Sequence, residues 1–329
     1  MGSPAEKDAR KGQEILVAQT VLAVHGLATH DVAGFRAIQR ESISDGELEA
    51  GLLNLGAHAQ VNFIEKEATR LLYVKKYFGL DIPYPATEAS SLLYDSFVYA
   101  DQLRGLGVNH VVRNYEPAIK VDETTQTASF SVDQLYLPYG TVLDWLRNNT
   151  GVEEVTRTLI TDCLVPVLNQ PHVAGLKETD AFVSFDTSLN NFIYIPGSGI
   201  FCFDFFPPRL RTEDRKVKSY GEEVDKRLDK EDPEEVYYRR FTRPGMIHNF
   251  LKRAYDRILG KDNAIDPSLG DEALEKVNLE RLIVWGMFCQ IADELLGPYL
   301  QRYFPDDKDG YVHADKLART EFKVYQGKF

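Results

Sequence analysis

Apolar residues recur at helical spacing in several long stretches of this chain. Residues 152–168, 246–259 and 273–304 are the clearest, because each would form a helix with one apolar and one polar face. Residues 13–31 also favour a helix, whereas residues 33–62, with four glycines, favour loops and short strands. The second half of the chain is therefore predicted to be mainly helical.

Residues 63–78 predict a further amphipathic helix. Phe63, Glu67, Leu71, Val74 and Phe78 recur every three to four positions, as on one face of a helix. Gly79 suits the C-terminal end of such a helix, and the extended segment 82–85, which contains two prolines, would follow it.

Strand-like patterns fill the middle of the chain. Residues 111–121 and 128–137 predict two strands joined by the polar turn at 122–125. A short extended segment follows, and Thr141 then stands where a helix N-cap is expected.

A second hairpin is predicted further on. Residues 192–195 and 200–203 read as strands, and Pro196-Gly197-Ser198-Gly199 is a turn signal between them. Such a hairpin brings Asn191 and Asp204 together, because both residues lie at its open end.

Composition narrows the class of protein. The chain has 329 residues, enough for two units with separate cores, and its net charge of −12 argues against nucleic-acid binding and against a polybasic membrane surface. It has 3 cysteines in no metal-binding pattern, which favours reduced thiols and a cytoplasmic location. No apolar run is long enough to span a membrane. We predict an α+β protein.

Three polar residues around the second hairpin carry the candidate chemistry. Asp186 is followed five residues later by Asn191, and Asp204 comes thirteen residues after that. Phosphoryl transfer needs one carboxylate to orient the attacking hydroxyl, together with oxygen ligands for the metal that neutralises phosphate charge. Asp186 would be the catalytic residue, and Asn191 and Asp204 the Mg²⁺ ligands.

These residues resemble the catalytic loop and metal-binding strand of the protein-kinase-like superfamily. The closer likeness is to its aminoglycoside- and choline-phosphotransferase-like branch, whose pattern is H-G-D-x-x-x-x-N followed by a strand that ends in I-D-F. The resemblance implies a bilobal kinase-like fold, with a small mixed-sheet N-lobe at 1–137 and a larger, mainly helical C-lobe at 138–329. It also implies ATP and Mg²⁺ as cofactors.

The same resemblance implies the nucleotide contacts. Residues 134–140 are similar to the kinase hinge, so that the backbone of Leu135, Tyr136 and Leu137 would bind adenine. Residues 63–85 are similar to the helix that carries a glutamate paired with a phosphate-binding lysine. Glu67 fits that glutamate best, with Glu65 as an alternate.

The phosphate-binding cation itself is not fixed by the sequence. No lysine occurs between Lys11 and Lys66, where the resemblance expects one. Arg40 and Lys66 are the candidate replacements, with Arg36 and Lys120 as alternates.

Two functions remain open at this point. The first is an ATP-dependent phosphotransferase that acts on a hydroxyl of a small molecule or of a peptide Ser/Thr. The second is a kinase-fold pseudoenzyme that supports a protein partner. This alternative is prompted by the missing lysine and by Phe185, which stands before Asp186 where the family has His or Arg. The negative net charge favours a cationic acceptor, and the charged tract 211–235, a solvated helix or loop, would contact it.

Overall fold

The computed structural model describes residues 4–43, 53–54, 59–228, 232–259, 271–305 and 313–319. Within these ranges the protein is α+β: a small antiparallel sheet is followed by a larger group of helices. This confirms the predicted class.

Two helices precede the main sheet, and one long helix is inserted within it. They are α1 (Pro4–Val24), α2 (Val32–Glu41) and α3 (Ala86–Gly105). The strands are β1 (Leu53–Asn54), β2 (Ala59–Glu65), β3 (Leu72–Phe78), β4 (Tyr84–Pro85), β5 (Asn114–Asp122) and β6 (Thr127–Leu135).

The sheet is antiparallel throughout. Its order is β1-β2-β3-β6, and β4 and β5 both pair with β6. The register sets Val61 opposite Lys76, and Lys76 opposite Val132. β3 is therefore a central strand, with a neighbour on each side.

A helical region follows the sheet and encloses a short second hairpin. Its helices are α4 (Val142–Arg147), α5 (Val152–Leu159), α6 (Val165–Leu168), α7 (Glu222–Leu228), α8 (Pro233–Phe241), α9 (Arg243–Ile258), α10 (Asp271–Tyr303) and α11 (His313–Ala318). A π-helical turn, Ile160–Leu164, joins α5 to α6, and the hairpin strands are β7 (Phe192–Ile195) and β8 (Gly199–Cys202). The largest buried apolar cluster lies among these helices and β7–β8, and smaller clusters cover the two faces of the sheet.

The long helices and the hairpins agree with the sequence patterns. The stretches predicted from 152, 246 and 273 correspond to α5–α6, α9 and α10, and β5–β6 form the first predicted hairpin. β7 pairs with β8 in the register Phe192 to Cys202. Thr141 caps α4 in a capping box with Asp144, so this local prediction is also confirmed.

The helix predicted over residues 63–78 is wrong. This stretch forms the end of β2, a turn and all of β3, with Phe63 paired to Val74 across the hairpin. The apparent helical spacing was drawn across the turn at 67–69, whereas the aromatic and branched residues of 72–78 favour a strand. The loops and short strands predicted for 33–62 are wrong for α2, which is a helix. They agree with β2, and residues 44–52 and 55–58 lie outside the described ranges.

The charged tract 211–235 is only partly solvated, and its residues 229–231 lie outside the described ranges. Arg211 is 8% exposed, and its guanidinium donates to Ala181 O and Arg215 O and to the Tyr237 hydroxyl. Lys218 pairs with the buried Asp95 of α3 at 2.6 Å. The start of the tract is therefore anchored to the core by buried arginine and lysine contacts.

α8 and α9 meet at a close backbone contact. Gly245, in the first turn of α9, is buried, and a Cβ atom there would lie 1.8 Å from the carbonyl oxygen of Tyr238. Thr242 caps α9 by accepting a hydrogen bond from the Gly245 N–H at 3.0 Å. Only glycine permits this approach of the two helices.

Three free cysteines are buried in the described part of the chain: Cys163, Cys202 and Cys289. Across the same residues, every helix is too short or too polar to cross a membrane.

Candidate functional site

A cavity of about 560 Å³ lies between the main sheet and the segments that flank the second hairpin. Its walls come from β2, β3, the end of β6 with the segment that follows, residues 186–191, residues 203–207, and α7 to α9. The polar side chains that line it are Lys76, Gln134, Asp186, Ser188, Asn191, Asp204, Arg240 and Arg253.

Asp186 is held by a firmly anchored loop. The residue two positions earlier, Ser184, is fully buried and donates to Arg209 O at 2.7 Å. The residue that follows, Thr187, accepts from the Asn249 amide of α9 at 2.8 Å. Both residues are thus tied to distant elements, which holds the backbone on either side of Asp186 in place.

Two arginines control the charge of Asp186. Arg240 Nη1 donates to Asp186 Oδ2 at 2.9 Å, and the Ser188 N–H donates to Oδ1 at 3.1 Å. Burial by itself would raise the pKa of Asp186, but the charges of Arg240 and Arg253 outweigh it and lower the pKa to about 2. This carboxylate is therefore ionised at neutral pH.

Asn191 and Asp204 lie at the open end of the β7–β8 hairpin, as predicted. The Phe203 N–H donates to Asn191 O at 3.2 Å, which continues the ladder by one step. Both side chains line the cavity together with Asp186. The hairpin thus brings together three residues that the sequence separates by up to 18 positions.

Sequence reasoning missed Lys76. It projects from β3 into the cavity, and its Nζ donates to Phe203 O at 3.2 Å. Burial lowers the pKa of Lys76, and the charge of Asp204 opposes that change. Residues 72–78 contain a signal for Lys76 if they are read as a strand, because successive side chains then point to opposite faces. Val74 and Lys76 share one face, and Tyr73 and Lys75 share the other.

The predicted cations, Arg40 and Lys66, and the predicted glutamate, Glu67, lie elsewhere. Arg40 forms an ion pair with Glu65, and Lys66 is held by Glu116 and the buried Asp133. Glu67 occupies the turn between β2 and β3 and lines a separate surface cleft beside α1. None of these three predicted residues lines the large cavity.

Residues 135–137, the predicted adenine contact, line the cavity, but the three residues are not equivalent. The Tyr136 N–H donates to Leu72 O, and Tyr136 O accepts from the amide of Gln39. Both backbone groups of Tyr136 are therefore engaged, and Leu137 O accepts from the Tyr139 N–H at 2.9 Å. Leu135 and the N–H of Leu137 are left as the backbone positions that can meet a ligand.

The donors around Asp204 fit one kind of metal site. Among the described residues, no group of three or more His, Cys, Asp or Glu side chains is arranged to hold a metal ion. Mg²⁺ is commonly bound by one or two carboxylates with the remaining ligands from water and substrate phosphates. Asn191 and Asp204 supply that small oxygen set.

Comparison of the chain with models of protein families found no match. Comparison with curated proteins likewise found none. Any functional conclusion therefore rests on the cavity and its side chains.

Proposed function

We propose that the protein is an ATP-dependent phosphotransferase of the kinase-like superfamily, which transfers the γ-phosphoryl group to a hydroxyl. The observation that carries the proposal is that Lys76, Asp186, Asn191 and Asp204 line a single cavity, whose rim includes the segment at 135–137. Each has the chemistry that phosphoryl transfer needs: a cation for phosphates, a carboxylate for the hydroxyl, and oxygen ligands for a metal.

The nucleotide would lie under the sheet. Adenine would contact the backbone of Leu135 and Leu137, between apolar side chains such as Val61 and Ile193. Lys76 would meet the phosphates, and Asn191 and Asp204 would hold Mg²⁺. The bound metal would neutralise phosphate charge during transfer.

Asp186 would orient the acceptor hydroxyl and accept its proton. A carboxylate whose pKa is about 2 is a weak base, so that its main contribution is alignment and stabilisation of positive charge on the hydroxyl proton. Each carboxylate oxygen has two lone pairs, and Asp186 Oδ1 and Oδ2 accept from Ser188 and Arg240. Acceptor capacity therefore remains for a hydroxyl.

A nucleotide-binding scaffold is the second candidate. The ion pair between Asp186 and Arg240 favours it, because a carboxylate engaged by arginine is less able to take a proton. The scaffold would bind ATP and support a partner protein without turnover.

Turnover separates the two candidates. We would measure Mg²⁺·ATP binding by calorimetry and the slow transfer of phosphate from ATP to water by release of labelled phosphate. The phosphotransferase should bind nucleotide and hydrolyse it slowly, and Asp186→Asn should retain binding but lose about 100-fold or more of the hydrolysis rate. Binding without any Asp186-dependent hydrolysis would favour the scaffold, and absence of nucleotide binding would exclude both.

A further inference from the structure

Two arginines from the helices beyond the hairpin reach the same cavity as Asp186. Arg240 comes from α8 and Arg253 from α9, and we call them the arginine pair. Arg240 forms the ion pair with Asp186. Both carry their charge close enough to the Asp186 carboxylate to stabilise its ionised form.

The cavity lining has a surplus of positive charge. Lys76, Arg240 and Arg253 line it against two carboxylates, Asp186 and Asp204. This local balance is opposite to the net charge of −12 for the whole chain. Within the described residues, Arg253 lies within ion-pair distance of no carboxylate, so that it is the source of the surplus.

Arg253 is also well positioned. Its Nε donates to Asn249 Oδ1 at 3.2 Å, and the amide of the same Asn249 donates to Thr187, next to Asp186. Asn249 and Thr187 are both buried. The two terminal nitrogens of Arg253 make no hydrogen bond within the described part of the chain. They form the planar donor pair that binds carboxylate or phosphate oxygens.

A hydroxyl that approaches Asp186 must therefore approach the arginine pair. We propose that this pair binds an oxyanion, a phosphate or a carboxylate, carried by the phosphoryl acceptor. The proposal rests on the phosphotransferase function and specifies its substrate class: a hydroxyl compound with an anionic group. It departs from the cationic acceptor expected from net charge, because the local charge at Asp186 has the opposite sign to the average.

Inorganic phosphate is the probe for this site. We would titrate it by calorimetry into the full chain, first alone and then with Mg²⁺ and a non-hydrolysable ATP analogue at saturation, so that the nucleotide phosphates occupy their own positions. The variants are Arg253→Gln, Arg253→Lys and the matched control Lys252→Gln. Lys252 precedes Arg253 in α9, pairs with Asp256 and does not line the cavity. Its substitution by glutamine removes the same charge as Arg253→Gln.

We expect phosphate to bind the nucleotide-loaded wild type, and Arg253→Gln to weaken that binding by about tenfold or more, since a charge-assisted hydrogen-bond pair is lost. Arg253→Lys should weaken phosphate binding less than Arg253→Gln does, and Lys252→Gln should change phosphate affinity by less than about twofold. The affinity for the ATP analogue should be unchanged in all three variants. Circular dichroism would verify that each variant is folded.

Three results would overturn the inference. Phosphate that binds only the nucleotide-free protein occupies the nucleotide site. Equal weakening of phosphate binding by Arg253→Gln and Lys252→Gln would show that phosphate responds to the overall charge of the protein and not to the arginine pair. Weakened nucleotide binding in Arg253→Gln assigns the arginine to ATP. If the analogue does not bind the wild type at all, the proposed function fails, while the titration of phosphate alone still tests the arginine pair.

Discussion

The ammonium group of Lys76 donates a hydrogen bond to the main-chain oxygen of Phe203 at 3.2 Å. This contact joins the central strand of the sheet to the residue before Asp204, across the cavity. The same oxygen accepts from the amide of Gln134 at 2.8 Å. Lys76 is therefore held beside Asp204, where, under the proposed function, this cation and the Asp204 carboxylate would act on the same phosphates.

Replacement of Lys76 by methionine should weaken Mg²⁺·ATP binding. We expect a loss of about 10- to 100-fold, because a charge-assisted contact to phosphate contributes roughly 1.5–3 kcal/mol. The matched control is Lys75→Met, since Lys75 lies on the other face of β3 and is 3.8 Å from Asp133. Calorimetric titrations that show equal losses in the two variants would contradict this assignment.

Asp204 should determine how nucleotide binding depends on Mg²⁺. In the wild type, removal of Mg²⁺ with EDTA should lower ATP affinity, because under the proposed function Asn191 and Asp204 would hold a metal that neutralises phosphate charge. In Asp204→Asn, added Mg²⁺ should raise ATP affinity far less than in the wild type. Asp162→Asn, a change outside the cavity lining, is the control. An Asp204→Asn protein with the full response to Mg²⁺ would remove Asp204 from the metal site.

The ionised form of Asp186 should stabilise the fold. Its pKa is about 2, below the value of about 3.9 for an unfolded aspartate. This stabilisation, about 2 kcal/mol, is therefore complete above pH ~4 and is lost as the pH falls towards 2. Urea unfolding of wild type and Asp186→Asn at several pH values tests it: the difference in the free energy of unfolding should shrink as pH falls. A difference that is constant from pH 6 to pH 3 would show that the pKa is not lowered.

Gln39 should link helix α2 to the cavity rim. It is completely buried, its carbonyl accepts from the Leu72 N–H at 2.9 Å, and its amide donates to the oxygens of Leu72 and Tyr136. Gln39→Leu leaves the Leu72 N–H and Tyr136 O without this partner, whereas Leu72 O keeps the Tyr136 N–H. The loss should destabilise the protein by about 1–3 kcal/mol and weaken nucleotide binding. The exposed Gln13→Leu on α1 is the control, and equal stability of the two variants in urea would refute the link.

Local signals predicted the parts of the site that lie close together in sequence. The turn Pro196–Gly199 and its flanking strands fixed the positions of Asn191 and Asp204, and the Thr141 cap was readable because capping depends on residues three apart. These features need no knowledge of distant contacts.

The remaining parts of the site depend on long-range packing. Lys76 could be assigned only after β3 was recognised as a strand between β2 and β6, and a helical pattern drawn across a turn concealed this. Arg240 and Arg253 are more than 50 residues beyond Asp186 and are brought to it by the packing of α8 and α9. No local periodicity distinguishes such arginines from those on a solvated surface.

The contact between Gly245 and the Tyr238 carbonyl sets the spacing of α8 and α9, which carry the arginine pair. Arg240 lies on the α8 side of this contact, while Asn249 and Arg253 follow it by about one and two turns of α9. A methyl group at position 245 would push the two helices apart and so change the spacing between the arginines without altering either of them. If the arginine pair binds the acceptor as proposed, selectivity for the size of the anionic group would depend on a residue that never touches the ligand. A Gly245→Ala substitution would then alter that selectivity from outside the cavity.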